Sequence, residues 1–183
     1  FDGSDEVFTI ATGGAVSINS DAAIPLTITS TDAGAGIGPA INLHRNSASP
    51  ADGDTIGVIY FNGEDDASNA TTYAYISGTM GDVSNGSEDG QLNIIVNKAG
   101  TLASVATIKS TEFILNENGV DIDFRVESDG NANMLFVDGG NNKVGIGTGT
   151  SDGTLHVHTA SAGSVAAESS SDDLIVENSD HGG

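Results

Sequence analysis

Apolar and polar residues alternate with period two along almost the whole chain, in short runs separated by Gly, Asn, Asp and Ser. The runs include "VFTIA", "AVSIN", "LTITS", "AINLH", "TIGVIYF", "YAYIS", "QLNIIV", "VATIK", "EFIL", "VDIDFRV", "NMLFV", "KVGIG", "TLHVH" and "LIVEN". Alternation puts successive side chains on opposite faces of a strand, so Phe8 and Ile10, Val16 and Ile18, and Leu26 and Ile28 each share one face. No segment holds a 3.6-residue apolar period with helix start and stop signals over three turns. The best helical candidate, "ASAGSVAAESSSDD" (160–173), is small, polar and interrupted by a glycine, and reads as a loop. The expected fold class is all-β. Asn62-Gly63, Asn85-Gly86, Asp89-Gly90, Asn118-Gly119 and Asp129-Gly130 suit tight hairpin connections, so a meander is expected rather than βαβ units.

These strands have little bulk with which to build a core. Aromatic residues make up 5% of the 183 positions, with no tryptophan and two methionines. Many short strands, or a core shared between chains, answer that shortage. There is no cysteine, which excludes disulfides, thiolate chemistry and cysteine zinc sites. No apolar run approaches the ~18 residues of a membrane span, and no basic-then-apolar signal peptide opens the chain. Phe1 is not an initiator methionine, so the chain reads as trimmed from something longer.

The net charge is −21, from 26 acidic and 5 basic side chains. Arg45, Lys98, Lys109, Arg125 and Lys143 are scattered and form no basic patch. Phosphate neutralisation is therefore unsupported, and neither nucleic acid nor membrane insertion is expected.

The chain repeats itself. "AVSINSDAAIPLTIT" (15–29) parallels "KVGIGTGTSDGTLHVH" (143–158), with Val16 and Ile18 matching Val144 and Ile146, and Leu26 and Ile28 matching Leu155 and Val157. "LTITSTDAG" (26–34) parallels "LIVENSDHG" (174–182), pairing Asp32 with Asp180 and Gly34 with Gly182. Small repeated β units that cannot bury their faces alone suggest an elongated architecture. The glycine run "GIGTGT" within the repeat has G-x-G-x-G spacing, but the pattern after it is a strand, "TLHVH". A dinucleotide fingerprint needs a helix there, and no GK[ST] makes a P-loop. The run is expected to be a β turn; "DAGAGIGPAI" (32–41) fails as a phosphate site for the same reason, and its glycines suit a close approach of backbones, as at a crowded fibre axis or a strand crossover. Val144 and Ile146 are expected to point into the core, with Gly145 and Gly147 on the crowded or turning side.

"FVDGGNNKVGIGTGTSDGTLHV" (136–157) resembles a stretch common in tail fibres and other structural proteins of bacteriophages, many of them marine. There a strand ending in Val-Asp leads through a Gly/Asn turn to V-G-I-G-T, then a spacer to L-H-V. The family's spacer often contains Ser-Pro; here it is "GTSDG". The block 41–96 is similar to a β module of the same fibres, through its arginine, Asp52-Gly53-Asp54, "IGVIYF", "YAYI" and Glu88-Asp89-Gly90. The resemblance implies a homotrimer in which three chains share one core. It also implies flanking fibre segments as partners, a host cell-surface glycan or protein as a further one, and a virion or extracellular location.

Candidate chemistry is sparse. His44, His156, His158 and His181 are the only histidines. His156 and His158 share a strand face and could ligate a metal, but a solvated outer face, with Leu155 and Val157 turned inward, explains them as well. Asp52, Asp54, Glu64, Asp65, Asp66, Glu88, Asp89, Asp121 and Asp123 offer carboxylates. "NENGVDID" (116–123) lacks the EF-hand spacing and terminal Glu, while Glu64-Asp65-Asp66 has the composition of a weak calcium loop or of a merely solvated one. A glycosidase needs two carboxylates across a sugar cleft, and nothing singles out a pair. Tyr60, Tyr73 and Tyr75 could stack on sugar, or form an ordinary strand. Asn69-Ala70-Thr71 and Asn85-Gly86-Ser87 match glycosylation sequons at the rate chance supplies.

No catalytic, cofactor-binding or metal-binding residue is assigned, and no cofactor is expected. The organisation expected is a β shaft over 1–40, a β module over 41–126, and a second shaft over 127–183 leading into a further repeat. The expected role is a non-enzymatic fibre that presents a receptor-binding tip. A non-phage extracellular filament or adhesin is the alternative, and a polysaccharide-cleaving tailspike stands third.

Overall fold

The computed structural model describes residues 14–160 and 174–177. Phe8, Ile10, Asp180, His181 and Gly182 lie outside the described residues, as does all of the 160–173 segment beyond Ala160. The described chain is all-β, with no helix among the described residues. Ten strands form two five-stranded sheets: β1 (Thr55–Glu64), β2 (Ala70–Asp82), β3 (Asp89–Lys98), β4 (Thr101–Ile108) and β5 (Phe113–Leu115) in the first, and β6 (Phe124–Ser128), β7 (Asn131–Asp138), β8 (Lys143–Ile146), β9 (Leu155–His158) and β10 (Leu174–Glu177) in the second.

The chain divides into two compact units, Phe1–Asn42 and Leu43–Gly183. Residues 14–42 of the first contain no strand, and Val16, Ile18, Leu26 and Ile28 are exposed. All ten strands belong to the second.

The first sheet is the expected meander, β1-β2-β3-β4-β5, antiparallel throughout. Its turns differ in part from the dipeptides read in the sequence. Asn62-Gly63 lies inside β1, paired with Thr72 and Thr71, and the turn follows it at Asp65–Asn69. Asp89-Gly90 opens β3. The tight β3–β4 turn is Ala99-Gly100, both with positive φ, a sharp reversal that the sequence reading missed. Asp129-Gly130 does join β6 to β7 as expected.

The second sheet has order β10-β9-β8-β7-β6 and is not a pure meander: β8, β9 and β10 run parallel. Parallel neighbours need a connection that crosses a face of the sheet. Here the glycine run of 147–154 makes the β8–β9 connection, with no helix.

Register sorts side chains into rows. On one face of the first sheet the rows read Gly57–Gly78–Leu92–Ile108–Phe113, Ile59–Ile76–Ile94–Ala106–Leu115, and Phe61–Ala74–Val96–Ala103. Every member is apolar or glycine. On the opposite face they read Val58–Ser77–Asn93–Thr107–Ile114 and Tyr60–Tyr75–Ile95–Ser104. The second sheet repeats the pattern with the row Phe124–Val137–Val144–Leu155–Leu174, joined on that face by Ile146, Val157 and Val176.

Buried apolar residues are few. Among the described residues only Ile95, Ala103 and Ala106 are apolar and buried, whereas Ile59, Phe61, Leu92, Ile94, Ile108 and Phe113 are exposed. Each sheet carries a face patterned as a core that this single chain leaves largely open; on the first, the Leu43 side chain covers Gly57 at the β1 edge.

Candidate functional site

The glycine run is a close-packed crossover. An added Cβ on Gly145 would run into the Thr148 carbonyl oxygen and stand 3.0 Å from Ser151 Oγ. One on Gly147, whose φ is +81°, would run into the His158 carbonyl oxygen. Amides of the run are also occupied: Gly147 N–H donates to the Asn133 carbonyl (3.0 Å) and Thr150 N–H to Thr148 Oγ1 (3.1 Å), while just before the run Val144 N–H donates to the Thr154 carbonyl (2.8 Å). Amides committed within the protein cannot cradle a phosphate.

The crossover also decides which face of the second sheet is covered. Lys143 Nζ donates to the Ser151 carbonyl (2.8 Å), and Asp152 N–H to His156 Nδ1 (3.4 Å). The loop thus lies over the side that Gly145 and His156 share. His156 is 2% exposed, while Ile146 is 39% exposed and Val144, Leu155 and Val157 are half-buried. One expectation is corrected here: His156 is not on a solvated outer face. Gly145 and Gly147 are on the crowded side as expected, and Val144 and Ile146 point to the opposite face, which this chain by itself leaves partly exposed. The physical reason is that a parallel connection must cross one face, and the side with glycine has room for it.

His156 and His158 meet edge to face, with ring centroids 5.7 Å apart. His44 is exposed. Among the described residues, no group of three His, Cys, Asp or Glu side chains is placed to hold a metal ion.

The carboxylates nominated from sequence are largely occupied in organising loops. Asp65 accepts from Ala67 N–H (2.9 Å), Asn69 N–H (2.8 Å) and Asn69 Nδ2 (2.9 Å), which closes the β1–β2 turn. The Asn69 side-chain amide, followed by backbone donors, holds its carboxyl below the ordinary value. Asp54 pairs with Arg45 (3.2 Å) and accepts from Ala51 N–H (3.1 Å), while Asp52 accepts from Val83 N–H (3.0 Å). Arg45 Nη1 also donates to the Thr55 carbonyl (3.0 Å). The arginine and Asp52-Gly53-Asp54 therefore clamp the incoming chain to the ends of β1 and β2. In 116–123, Asn116 closes the loop on itself through Val120, and Asp123 accepts from Gly139 N–H (3.0 Å). Asp121 lies 3.8 Å from Lys98.

Around an open hollow of about 450 Å³ stand Pro50, Ile56, Met80, Asp82, Val83 and Glu88, with Asp89 and Gly90. A sugar-cleaving acid there would need a raised pKa. Asp82 is instead lowered by Ser84, and Glu88 by its own N–H and that of Gly86. Asp138 is likewise lowered, by Asn141.

The tyrosines separate. Tyr60 and Tyr75 are cross-strand partners on one face, with centroids 5.6 Å apart and planes at 55°. Tyr73 sits at the β1–β2 bulge, its ring over Gly63 and its hydroxyl donating to the Glu64 carbonyl (3.2 Å). They do not form one stacking platform.

A polar ladder that no sequence motif announced crosses the Tyr60–Tyr75 face. Gln91 Nε2 donates to Asn93 Oδ1 (2.6 Å), Asn93 Nδ2 to Thr79 Oγ1 (3.3 Å), and Thr107 Oγ1 to Asn93 Oδ1 (3.3 Å), with Ser104 Oγ 2.9 Å from Thr107 Oγ1. Thr107 is 1% exposed. The only sequence signal was Ser, Thr and Asn at alternate positions of apolar strands. No protein-family model matches the chain, and no curated protein sequence matches it at a significant level.

Proposed function

We propose that the chain is a non-enzymatic structural segment of an elongated homotrimeric fibre, extending and presenting a receptor-binding tip on a phage virion. The observation that carries this reading is the mismatch between pattern and burial. Each sheet carries contiguous apolar rows on one face, yet three apolar residues are buried among the described residues. A fold of this kind is completed by other copies of itself, because three chains around an axis can share the core that one cannot build. Loop carboxylates committed to turns and clamps, and the crossover amides of Gly147, Thr150 and Asp152 committed within the chain, favour architecture over catalysis.

The test is the mass and shape of the purified protein. Light scattering at micromolar concentration is expected to give three times 18.3 kDa, and electron microscopy to show short fibres. A monodisperse folded monomer would refute the proposal. Long uniform filaments would favour a cellular filament or adhesin. Release of reducing ends from surface polysaccharide, abolished by one carboxylate substitution with folding intact, would make it a tailspike.

A further inference from the structure

We propose that the three-row apolar face of the first sheet is the surface through which one copy of the chain packs against another, leaving the Tyr60–Tyr75 face outward. This rests on the self-assembly reading above and names its surface. The rows centre on Ile76 and Ile94 and run from β1 across to Leu115 and Phe113 on β5. No charged side chain occurs in them, although the chain carries 26 acidic residues; the first charge on that face is Lys98, one row beyond Val96 and Ala103 and 3.8 Å from Asp121. Strand spacing and row spacing give the face a footprint of roughly 500 Å². That is well over half of the ~800 Å² that each partner contributes to a standard stable interface.

A second copy is the occupant for two reasons. The first is supply: with so few apolar residues buried, the cover must be present whenever the chain is folded, and another copy always is. The second is charge. A basic partner would seek the carboxylates, not rows that hold none, whereas two molecules of net charge −21 can approach closely only where charge is kept away. The opposite face needs no such cover, because the Asn93–Thr107–Ser104 ladder satisfies its central polar groups internally.

The absence of cysteine allows a direct test. Ile94→Cys and Tyr60→Cys are made singly and labelled with a maleimide under native conditions, with mass measured by light scattering. Both variants are expected to keep the wild-type oligomeric mass, and Ile94→Cys to label at least about tenfold more slowly than Tyr60→Cys, the protection expected of a closed interface. Dilution to monomer is expected to remove that difference. Ile94→Asp is expected to lower the mass to that of one chain, and Tyr60→Asp to leave it unchanged. Equal labelling of the two cysteine variants in an intact oligomer overturns the choice of face but leaves self-assembly standing. A wild-type monomer refutes self-assembly itself. A monomer in which Ile94→Cys is protected places a segment of the same chain over the face and also overturns the proposal.

Discussion

At the scale of single residues, positions that look chemical serve geometry. Gly147 has φ +81°, and a side chain there would meet the His158 carbonyl. Gly147→Ala combines backbone strain with a clash against main chain, and is expected to cost about 1–3 kcal/mol. The check is a urea titration of the variant against the parent. A loss of less than a few tenths would mean that the crossover relaxes away from the sheet. Part of this was legible beforehand. The strand pattern "TLHVH" after the V-G-I-G-T run already sets a turn above a phosphate loop, and alternation with Val144 and Ile146 puts Gly145 and Gly147 on the crowded side. The parallel partner of that strand, and main-chain carbonyls as the crowding atoms, come only from the fold.

Among the strands, alternation was a reliable guide to existence and a poor one to which face is covered. "QLNIIV" and "VATIK" place Asn93 and Thr107 opposite each other and Leu92 opposite Ile108. The local pattern ranks Leu92 and Ile108 as interior, yet Thr107 is buried and those two are exposed. Thr107→Val tests the ladder. It keeps the shape and removes the hydroxyl that serves Asn93 and Ser104, so a loss of about 1–3 kcal/mol is expected in thermal or denaturant unfolding. A neutral outcome would show water replacing the bond, and hence a face that opens readily. The repeat teaches a related lesson. Val16, Ile18, Leu26 and Ile28 match β8 and β9 in sequence, yet 14–42 contains no strand. β8 has β7 beside it, through Val137 and Val144, and a strand is made by its neighbour as much as by its own residues.

For the whole molecule, charge and apolar patterning oppose each other. A net charge of −21 per chain resists association, so added salt, which shortens the Debye length to about 10 Å at 0.1 M, is expected to strengthen the oligomer. Salt that weakened it would indicate an interface built on ion pairs. Acid acts on a second set of groups. Hydrogen bonds lower Asp65, Asp82 and Asp138 from 3.8 and Glu88 from 4.5. A carboxyl lowered by folding stabilises the fold above its unfolded value, and that contribution is lost as the pH falls through the folded value. The thermal midpoint is therefore expected to hold from neutral pH down to 4.5, and to fall progressively below 4.5 and then 3.8 as these loops lose their acceptors. These groups are solvent-exposed, so the decline should be shallow. A midpoint that rose steadily through that range would show that relief of charge repulsion outweighs the turns.

The sequence by itself determined the all-β class, because a period of two with β-branched residues is compatible with strands and not with helices. It also excluded a P-loop and disulfides through residues that are simply missing. Tertiary structure alone decided that β8, β9 and β10 run parallel, that Asn62-Gly63 stays inside a strand, and that His156 is on the covered side. The reason is that alternation divides a strand's residues between two faces without saying what lies over either. That depends on which strands become neighbours and where the connections between them must pass, and both are properties of the folded chain.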